Sequence, residues 1–384
     1  MEAVEAAGLT GRGGAGFPTA RKLRAVAERH GRAVVVVNAM ESELASRKDQ
    51  FLLTVAPHLV LDGAVLAAVA VGTDTVHVCL PRDRSTQYRQ LSTTLDERNR
   101  ARPDPLRLRL NALPHAYVSS ESTSLVRWLN GGPARPQGSP PRTHERGVDR
   151  RPTLVNNVET HAQLALIARY GPGWYWQAGT PDKPGTTLVT ASGAVAAPGV
   201  LEAALGTPVT TLLERAGGPT EPLRAVLLGG SAGTWLPAAH LDTSLVRRDL
   251  APLGAAPGAG VLIALPRAAC GLSETARMLA YLAAHSARQC GPCHFGLPAV
   301  AEDFPAPAAG RADPGLLSRL RNRTGLLPDR GACRHLDGAA RLAAYVLRAF
   351  TDDVDHHLTH GPCPAVHQSP RIPVPAATPP ETWR

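Results

Sequence analysis

Hydrophobic and polar positions in the first third of the chain follow a pattern that predicts strands interleaved with helices. Residues 33–37 form a continuous, mostly β-branched apolar run, which is typical of a strand buried on both faces. Further strands are expected at 75–80 and 106–110, and helices at 18–30, 59–71, 83–99 and 121–130. Because strands alternate with helices, the pattern indicates an α/β layer built on a parallel sheet.

The pattern changes after about residue 185. Short strands are expected at 187–191, 225–228 and 261–265, with one short helix within 205–216, which fits a small α+β module of roughly 80 residues. From residue 273 onward helices dominate, at 274–287, 314–322 and 337–350. The segment 364–384 carries five prolines after Ser369 and predicts a disordered tail.

Composition and charge exclude several function classes. The formal net charge is +9, but the basic residues are spread along the chain and aromatic residues make only 4%, so nucleic-acid binding is not expected. The longest apolar stretch, 59–71, is shorter than the roughly 18 residues that a membrane span needs. The first residues lack the basic and apolar segments of a signal peptide, so a soluble cytoplasmic protein with reduced thiols is expected.

A glycine-rich loop near the start of the chain predicts an anion site. Four glycines fall within GRGGAG at 11–16, and Lys22 lies one turn into the helix that follows. Such a loop lets backbone N–H groups approach a phosphate, and the helix N-terminus favours negative charge. A standard dinucleotide fingerprint needs a strand before the glycines, and too few residues precede Gly11 for one. A plain surface turn is the alternative.

Two polar segments are candidate ligand contacts. Asn38 and Glu41 follow directly after the strand at 33–37, where open α/β sheets bind ligands at the carboxyl ends of their strands. The pair Asn156 and Asn157 precedes Thr160 and could offer amides to a heterocycle. In both segments the alternative is a turn or a helix cap.

Cysteine spacing suggests a metal centre in the last third of the chain. Cys290 and Cys293 form a Cys-x-x-Cys pair, and Cys333 follows forty residues later. Three thiolates are one fewer than an iron–sulfur cluster usually takes. His285, His294, His335, Cys270 and Cys363 are candidate fourth ligands. A Cys₃His zinc site using His335, a thioredoxin-like redox pair and no metal at all are the competing interpretations.

Taken in order, these segments resemble the flavin-bearing NADH-binding subunit of respiratory complex I and its soluble hydrogenase and formate dehydrogenase relatives. The similarity covers about residues 7–363, through GRGGAGFPTARK, VVVNAMESELASRKD, AYVSSESTSL, RRPTLVNNVET, the segment 188–218, SARQCGPCHFG and GACRHLDGAARLAAYVLRAF. The resemblance implies FMN held by Gly11, Arg12, Gly13, Gly14, Lys22, Asn38, Asn156, Asn157 and Thr160. It implies catalytic carboxylates at Glu41 and Glu121, and a [4Fe–4S] cluster on Cys290, Cys293 and Cys333.

Departures from the family pattern concentrate on two places. The first cluster cysteine of the family is Ala287 here, so the cluster is expected to be incomplete. On the NADH side, Met40 and Ser122 stand where the family has carboxylates. In the loop that follows, Ser139 replaces a lysine and Arg142 a phenylalanine. These changes leave NAD binding open, whereas the FMN residues are retained.

The expected architecture is a multi-domain α/β protein. Residues 1–180 are expected to form a Rossmann-like FMN domain, 181–268 a β-grasp soluble-ligand-binding module, and 269–363 a helical iron–sulfur domain. The resemblance implies a flavin-dependent oxidoreductase that passes electrons from FMN to the cluster, with NADH as donor by resemblance only. A redox-inert scaffold protein is the alternative. The expected partner is a small [2Fe–2S] protein, a ferredoxin or a membrane reductase component.

Overall fold

The first part of the chain is an α/β layer. The computed structural model describes residues 1–101, 106–138, 141–311, 315–374 and 383. Its elements up to residue 175 are α1 (Glu2–Ala6), α2 (Thr19–Ala27), β1 (Val34–Asn38), α3 (Lys48–Val55), α4 (Pro57–Ala70), β2 (Thr75–Pro81), α5 (Ser85–Ala101), β3 (Arg107–Leu113), α6 (Ser122–Leu129), β4 (Thr153–Asn157) and α7 (Val158–Tyr175). The four strands pair in the order β3-β2-β1-β4, all parallel, which confirms the predicted parallel sheet.

Strand β1 lies inside this sheet and is buried on both faces. Val35 and Val37 pack into the core beneath α4 and α7, whereas Val34 and Val36 pack into a second core on the opposite face. A strand covered on both sides needs apolar residues at every position, which explains the unbroken valine run. The β1–β4 register pairs Asn38 with Asn157, so two of the predicted ligand segments meet at the carboxyl edge of the sheet.

The second part contains a five-stranded mixed sheet. Its elements are β5 (Gly179–Thr180), β6 (Lys183–Pro184), β7 (Thr186–Gly193), β8 (Gly199–Ala204), α8 (Val209–Arg215), β9 (Leu223–Leu228), β10 (Thr234–Pro237), α9 (Arg247–Leu250) and β11 (Val261–Pro266). The order is β10-β9-β11-β7-β8, with β11 and β7 parallel and the other pairs antiparallel. Helix α8 closes a separate hydrophobic core under the sheet.

The third part is helical. It comprises α10 (Gly271–Ala284), α11 (Leu297–Asp303), α12 (Pro305–Ala308), α13 (Leu316–Gly325), α14 (His335–Ala349) and α15 (Thr351–His360), with a π-helical turn at Pro292–Gly296. These helices share one core with β10 and β11, in which Trp235 and Phe350 are buried.

Of the segment 364–384, predicted to be a disordered tail, the structure describes residues 364–374 and 383, and the others lie outside the described residues. A short 3₁₀ turn forms at Pro364–His367, and the side chain of Ile372 is buried. The backbone N–H groups of Arg371 and Ile372 donate to the Glu274 carboxylate at 2.7 and 3.1 Å. Trp383 is also buried. A proline-rich segment can therefore be ordered when a buried carboxylate satisfies its backbone.

No single helix in the described ranges is long and apolar enough to cross a membrane. Helices α3 and α4 reach that length and apolar character only when they are taken together, and the chain bends by 99° between them.

Candidate functional site

A cavity of about 540 Å³ opens at the carboxyl edge of the parallel sheet. Among the residues predicted to bind FMN or act in catalysis, those that line it are Gly11, Gly13, Lys22, Asn38, Glu41, Glu121, Asn156, Asn157 and Thr160. Cys333 lines the same cavity from the helical part of the chain. The structure therefore brings the glycine loop, both asparagine segments and one predicted cluster ligand to one place.

Two nitrogen-bearing side chains of this cavity, those of Lys22 and Asn156, are suited to bind an anion and a heterocycle. The Lys22 ammonium donates to the carbonyl oxygen of Val155, and burial lowers its pKa to about 8. It is paired with no carboxylate in the described part of the chain. Next to it, the side-chain Nδ2 of Asn156 is buried with no hydrogen-bond partner among the described residues. A buried donor without an acceptor is costly unless a ligand supplies one, so the Asn156 amide fits an FMN molecule. The Lys22 ammonium, which no carboxylate neutralises in the described part of the chain, fits its phosphate.

The glycine loop is held close to β4 and to the β-grasp module. The backbone N–H of Arg12 donates to the Thr160 hydroxyl at 2.9 Å. Gly14 has a φ of +99°, and a Cβ there would lie 3.3 Å from the backbone of Gly258. Only glycine meets both conditions without strain. Thr160 thus positions the loop backbone.

The side chain of Arg12 binds other parts of the chain. Its guanidinium donates to the Tyr175 hydroxyl at 2.7 Å and to the Thr186 carbonyl oxygen at 2.9 Å. Arg12 and Gly14 line a neighbouring cavity of about 400 Å³ rather than the main one. The Arg12 side chain thereby fastens the loop to its surroundings, and the FMN contacts predicted at Arg12 and Gly14 stay predictions.

The two asparagines that meet at the sheet edge, Asn38 and Asn157, already have protein partners. Asn38 donates to the carbonyl oxygen of Ser120 at 2.8 Å. The Asn157 side-chain oxygen accepts from the Glu159 N–H at 3.0 Å and so caps α7. Helix capping was the alternative interpretation for the Asn pair, and it holds for Asn157 but not for Asn156.

Sequence reasoning missed a buried charge network under the cavity. The Lys48 ammonium lies 2.8 Å from the Asp49 carboxylate and 3.0 Å from the Glu159 carboxylate, and it donates to Asn157 at 3.1 Å. Burial raises the pKa of Asp49 to about 6, although Lys48 opposes that shift. Burial acts to lower the pKa of Lys48, but the two carboxylates outweigh it and raise that pKa. In the sequence, this network is visible as a Lys-Asp pair at the start of α3, which resembles an ordinary exposed pair of charges.

The two predicted catalytic carboxylates cap helices. Glu41 accepts from the backbone N–H groups of Asp49 and Gln50 at 2.8 and 2.9 Å, which satisfies the first turn of α3. Glu121 accepts from the N–H groups of Thr123 and Ser124 at 2.8 and 3.3 Å at the start of α6. Backbone donors therefore give both groups a structural role, and since both also line the cavity, their catalytic role stays a prediction.

Glu43 is the cavity carboxylate that sequence reasoning passed over. It accepts from the Ser231 N–H at 2.6 Å and from the Tyr117 hydroxyl at 3.2 Å, and it lines the cavity. Burial raises its pKa, opposed by the hydrogen bonds from Ser231. Its signal was the Glu-x-Glu spacing after β1.

The departures on the NADH side lie in different surroundings. Met40 is fully buried in the apolar core with Val36 and does not line the cavity. Ser122 lines the cavity and donates to Glu121 at 3.0 Å. Arg142 is exposed, and Ser139 lies outside the described residues. Of the three departures that the structure describes, only Ser122 therefore changes the chemistry of the cavity wall.

The three predicted cluster cysteines converge from two segments. Cys293 lies in the π-helical turn, a type of distortion that often marks functional sites, and its sulfur accepts the Arg288 N–H at 3.1 Å. Burial raises the pKa of the Cys333 thiol to about 11, and the nearby Cys293 and Cys290 thiols add to this rise. Among the described residues these sulfurs do not all lie within 4.8 Å of one another, as ligands of one zinc ion would. As placed, the three sulfurs therefore do not occupy the positions of ligands to a single tetrahedral zinc ion.

The position of the missing ligand is covered by apolar groups. Ala287 packs with Ala116, Val118 and Trp383. Of the predicted substitutes, His335 lies beside Cys333; its Nε2 donates to the Leu282 carbonyl oxygen at 2.8 Å, and its Nδ1 is buried without a hydrogen-bond partner in the described ranges.

The other predicted substitutes are engaged elsewhere or exposed. His285 Nδ1 accepts from the Tyr117 N–H at 3.2 Å, and His294 is exposed in the π-helical turn. Cys270 precedes α10, whereas Cys290 follows it, and a helix of 14 residues spans about 20 Å. Cys270 and its neighbour Cys363 therefore belong to the N-terminal end of α10, whereas Cys290 and Cys293 follow its C-terminal end.

Three protein-family models match successive parts of the chain. Residues 4–166 match the Nuo51 FMN-binding domain, 188–231 the SLBB domain, and 273–357 the NADH-ubiquinone oxidoreductase-F iron–sulfur binding region.

Fold and site together define a class of protein that binds FMN and a [4Fe–4S] cluster and transfers electrons between them. An NADH-quinone oxidoreductase subunit of Streptomyces coelicolor is 31% identical over 373 residues, which cover 94% of this chain and 83% of the relative. The chain belongs to this family, the NADH-quinone oxidoreductase subunits that carry the Nuo51 FMN-binding domain. A homologous subunit of Rhizobium meliloti is 30% identical, and the alignment covers 92% of this chain and 85% of the relative.

A solved structure carries the same fold. The NAD⁺-reducing [NiFe]-hydrogenase in its H₂-reduced state aligns with a TM-score of 0.86 and 31% identity. The alignment covers 94% of this chain and 62% of the hydrogenase chain, so this chain spans less than two thirds of that polypeptide. Relatives of this kind are subunits, so partner subunits are expected for this chain.

Proposed function

We propose that this chain is the electron-entry subunit of a larger oxidoreductase, in which FMN bound in the main cavity accepts electrons from NADH. The observation that carries the proposal is the shared cavity, because Lys22 and Asn156 line one side of it and Cys333 another. The nicotinamide donor is supported by the names of the relatives, which are an NADH-quinone oxidoreductase subunit and an NAD⁺-reducing hydrogenase.

FMN, when bound, supplies the exchange between a two-electron hydride donor and one-electron carriers. The residues of this chain bind and orient. Lys22 would hold the phosphate, Asn156 would donate to the heterocycle, and the loop backbone at Gly11 and Gly13 would lie against the cofactor. Cys290, Cys293 and Cys333 would hold the cluster, with His335 Nδ1 as the candidate fourth ligand.

A redox-inert scaffold protein is the second candidate function, favoured by one observation. Ala287 cannot ligate iron, and its surroundings are apolar. The case for a lost NADH site is weaker, because Met40 lies in the core and leaves the cavity unchanged.

A cysteine exchange tests the proposal. The full chain, loaded with FMN and reconstituted with iron and sulfide without oxygen, should bleach at the flavin bands on adding NADH and then show a reduced-cluster electron paramagnetic resonance signal. Cys333→Ser should lose iron and sulfide together while keeping FMN. Cys79→Ser, in the FMN-domain core, is the matched control. A colourless protein after reconstitution, or a flavin that NADH leaves oxidised, would instead support the redox-inert scaffold.

FMN affinity should depend on the charge of Lys22. Lys22→Met should weaken FMN binding by about 1–3 kcal/mol, since a charge-assisted hydrogen bond to phosphate is lost. In the parent protein, affinity should fall as the pH rises through about 8, because the ammonium that attracts the phosphate loses its proton there. Quenching of flavin fluorescence at about pH 7 and about pH 9.5, on either side of that pKa, measures both effects. Lys22→Arg should remain flat over this range; an equally flat parent would remove Lys22 from the phosphate site.

Substitutions at the neighbouring residues Asn156 and Asn157 should have different effects, one on FMN affinity and the other on the stability of the protein. Asn156→Ala removes a donor that has no protein partner among the described residues, so FMN affinity should fall while the melting temperature of the FMN-free protein changes little. Asn157→Ala removes the α7 cap and a partner of Lys48, and should cost the FMN-free protein about 1 kcal/mol or more. Thermal melts and FMN titrations of both variants make the comparison. The opposite pattern would exchange the two roles.

A further inference from the structure

A second cluster of soft ligands lies outside the site described above. The ligand atoms of Cys270, His357 and Cys363 all lie within 4.8 Å of one another. Cys270 and His357 are buried and Cys363 is partly exposed. They come from three separate segments: the residue before α10, the last turns of α15, and the stretch that follows α15. None of the family features assigned above uses these residues.

His357 and Cys270 make hydrogen bonds of the kind that orient the ligands of a metal site. His357 Nδ1 donates to the Pro307 carbonyl oxygen at 3.2 Å, which fixes the tautomer and leaves the lone pair on Nε2. In the metal-free chain this lone pair accepts the backbone N–H of Cys363 at 3.2 Å, so it faces that residue, and a bound ion would take the place of this hydrogen bond. The sulfur of Cys270 accepts the Ser273 N–H at 3.4 Å, a contact that stabilises a thiolate at a helix N-terminus.

We propose that Cys270, His357 and Cys363 bind one Zn²⁺ ion, with water in the fourth position on the partly exposed Cys363 side. Two thiolates and one imidazole are soft and borderline ligands, which suit zinc and disfavour Mg²⁺ and Ca²⁺, whose ligands are oxygens. Three protein ligands with one open position are compatible with tetrahedral zinc.

The place of the cluster in the fold gives a bound ion a structural task. The ion would clip the end of the chain to the start of α10, where Glu274 already binds the backbone of Arg371 and Ile372. Metal binding of this kind contributes directly to the stability of the folded chain.

Zinc analysis of the full chain tests the site. All variants are made in a protein that already carries Cys290→Ser, Cys293→Ser and Cys333→Ser. In this triple-serine background, zinc cannot bind to the proposed cluster ligands. After reduction, loading with Zn²⁺ and desalting, elemental analysis should give one zinc per chain. Cys270→Ser, His357→Ala and Cys363→Ser should each weaken zinc binding at least tenfold in competition with a chromogenic chelator.

His356→Ala is the matched control, since His356 is the exposed neighbour of His357 on α15, and it should retain zinc. Cys363 is partly exposed and lies outside any helix. Cys363→Ser therefore still tests the proposal if a substitution at one of the buried positions prevents folding. In the same triple-serine background, Co²⁺ should give a thiolate charge-transfer band that Cys363→Ser removes. No stoichiometric zinc, zinc that survives all three substitutions, or a Cys270–Cys363 disulfide in anaerobically purified protein would overturn the proposal. None of these results bears on FMN binding or on the cluster.

Discussion

Met40→Asp should destabilise the protein by at least about 4 kcal/mol. The Met40 side chain is fully buried among Val34, Val36 and Cys79, so an aspartate there must stay neutral or bury a charge. Remaining protonated at pH 7 costs roughly 1.36 kcal/mol for each of about three pKa units. Urea denaturation should show the loss at pH 7 and a partial recovery near pH 4, as the carboxyl group of the unfolded chain also becomes protonated.

Met40→Leu is the control and should cost less than about 1.5 kcal/mol, because it keeps the volume and the apolar character. The family has a carboxylate at this position, and restoring it would be expected to improve NADH oxidation only if the side chain reached the cavity. A Met40→Asp protein that is as stable as the parent and oxidises NADH faster would contradict the buried placement.

Lys48→Met should cost about 3–5 kcal/mol, because it leaves Asp49 and Glu159 buried without their shared cation. Lys183→Met, at an exposed position, is the control and should change the free energy of unfolding by less than about 0.5 kcal/mol. Adding Glu159→Gln to Lys48→Met should recover part of the loss, since it removes one of the two buried carboxylate charges that Lys48 neutralised; Glu159 keeps a second ion pair, with Arg12 at 3.8 Å.

The free energy of unfolding should depend on pH differently in the parent protein and in Lys48→Met. In the parent protein the folded-state pKa of Asp49 is about 6, above the value of roughly 3.9 in an unfolded chain. Its contribution to stability is therefore present below about pH 4 and is lost as the pH rises through about 6. Without Lys48 the folded-state pKa rises further, so chemical denaturation should show stability still falling with pH above 6. Equal pH profiles for parent and Lys48→Met would show that Asp49 is not coupled to Lys48.

Much of the fold could be predicted because burial on both faces leaves a plain pattern. The valines of β1 and the alternation of strands with helices indicated the parallel sheet. Strand β4 was missed because only Leu154 and Val155 are apolar within it, and its last two residues are asparagines. Its place is set by pairing with β1, which is a long-range contact that no local pattern contains.

The candidate site was predicted in its location but not in the task of each side chain. A glutamate after a strand can face a ligand or cap a nearby helix, and the two arrangements look the same in sequence. Glu41 caps α3 because the chain reverses at its left-handed φ of +36°, which turns its carboxylate toward Asp49 and Gln50. Asn156 and Asn157 likewise differ only in which face of β4 each side chain occupies.

Arg12 joins three parts of the molecule through one guanidinium group. Its backbone belongs to the glycine loop, and its side chain binds Tyr175 at the end of α7 and Thr186 at the start of β7. Through this one side chain, a movement of β7 relative to α7 would be transmitted to the backbone of the glycine loop. The conformation of the loop is thus tied to the relative placement of the α/β layer and the β-grasp module.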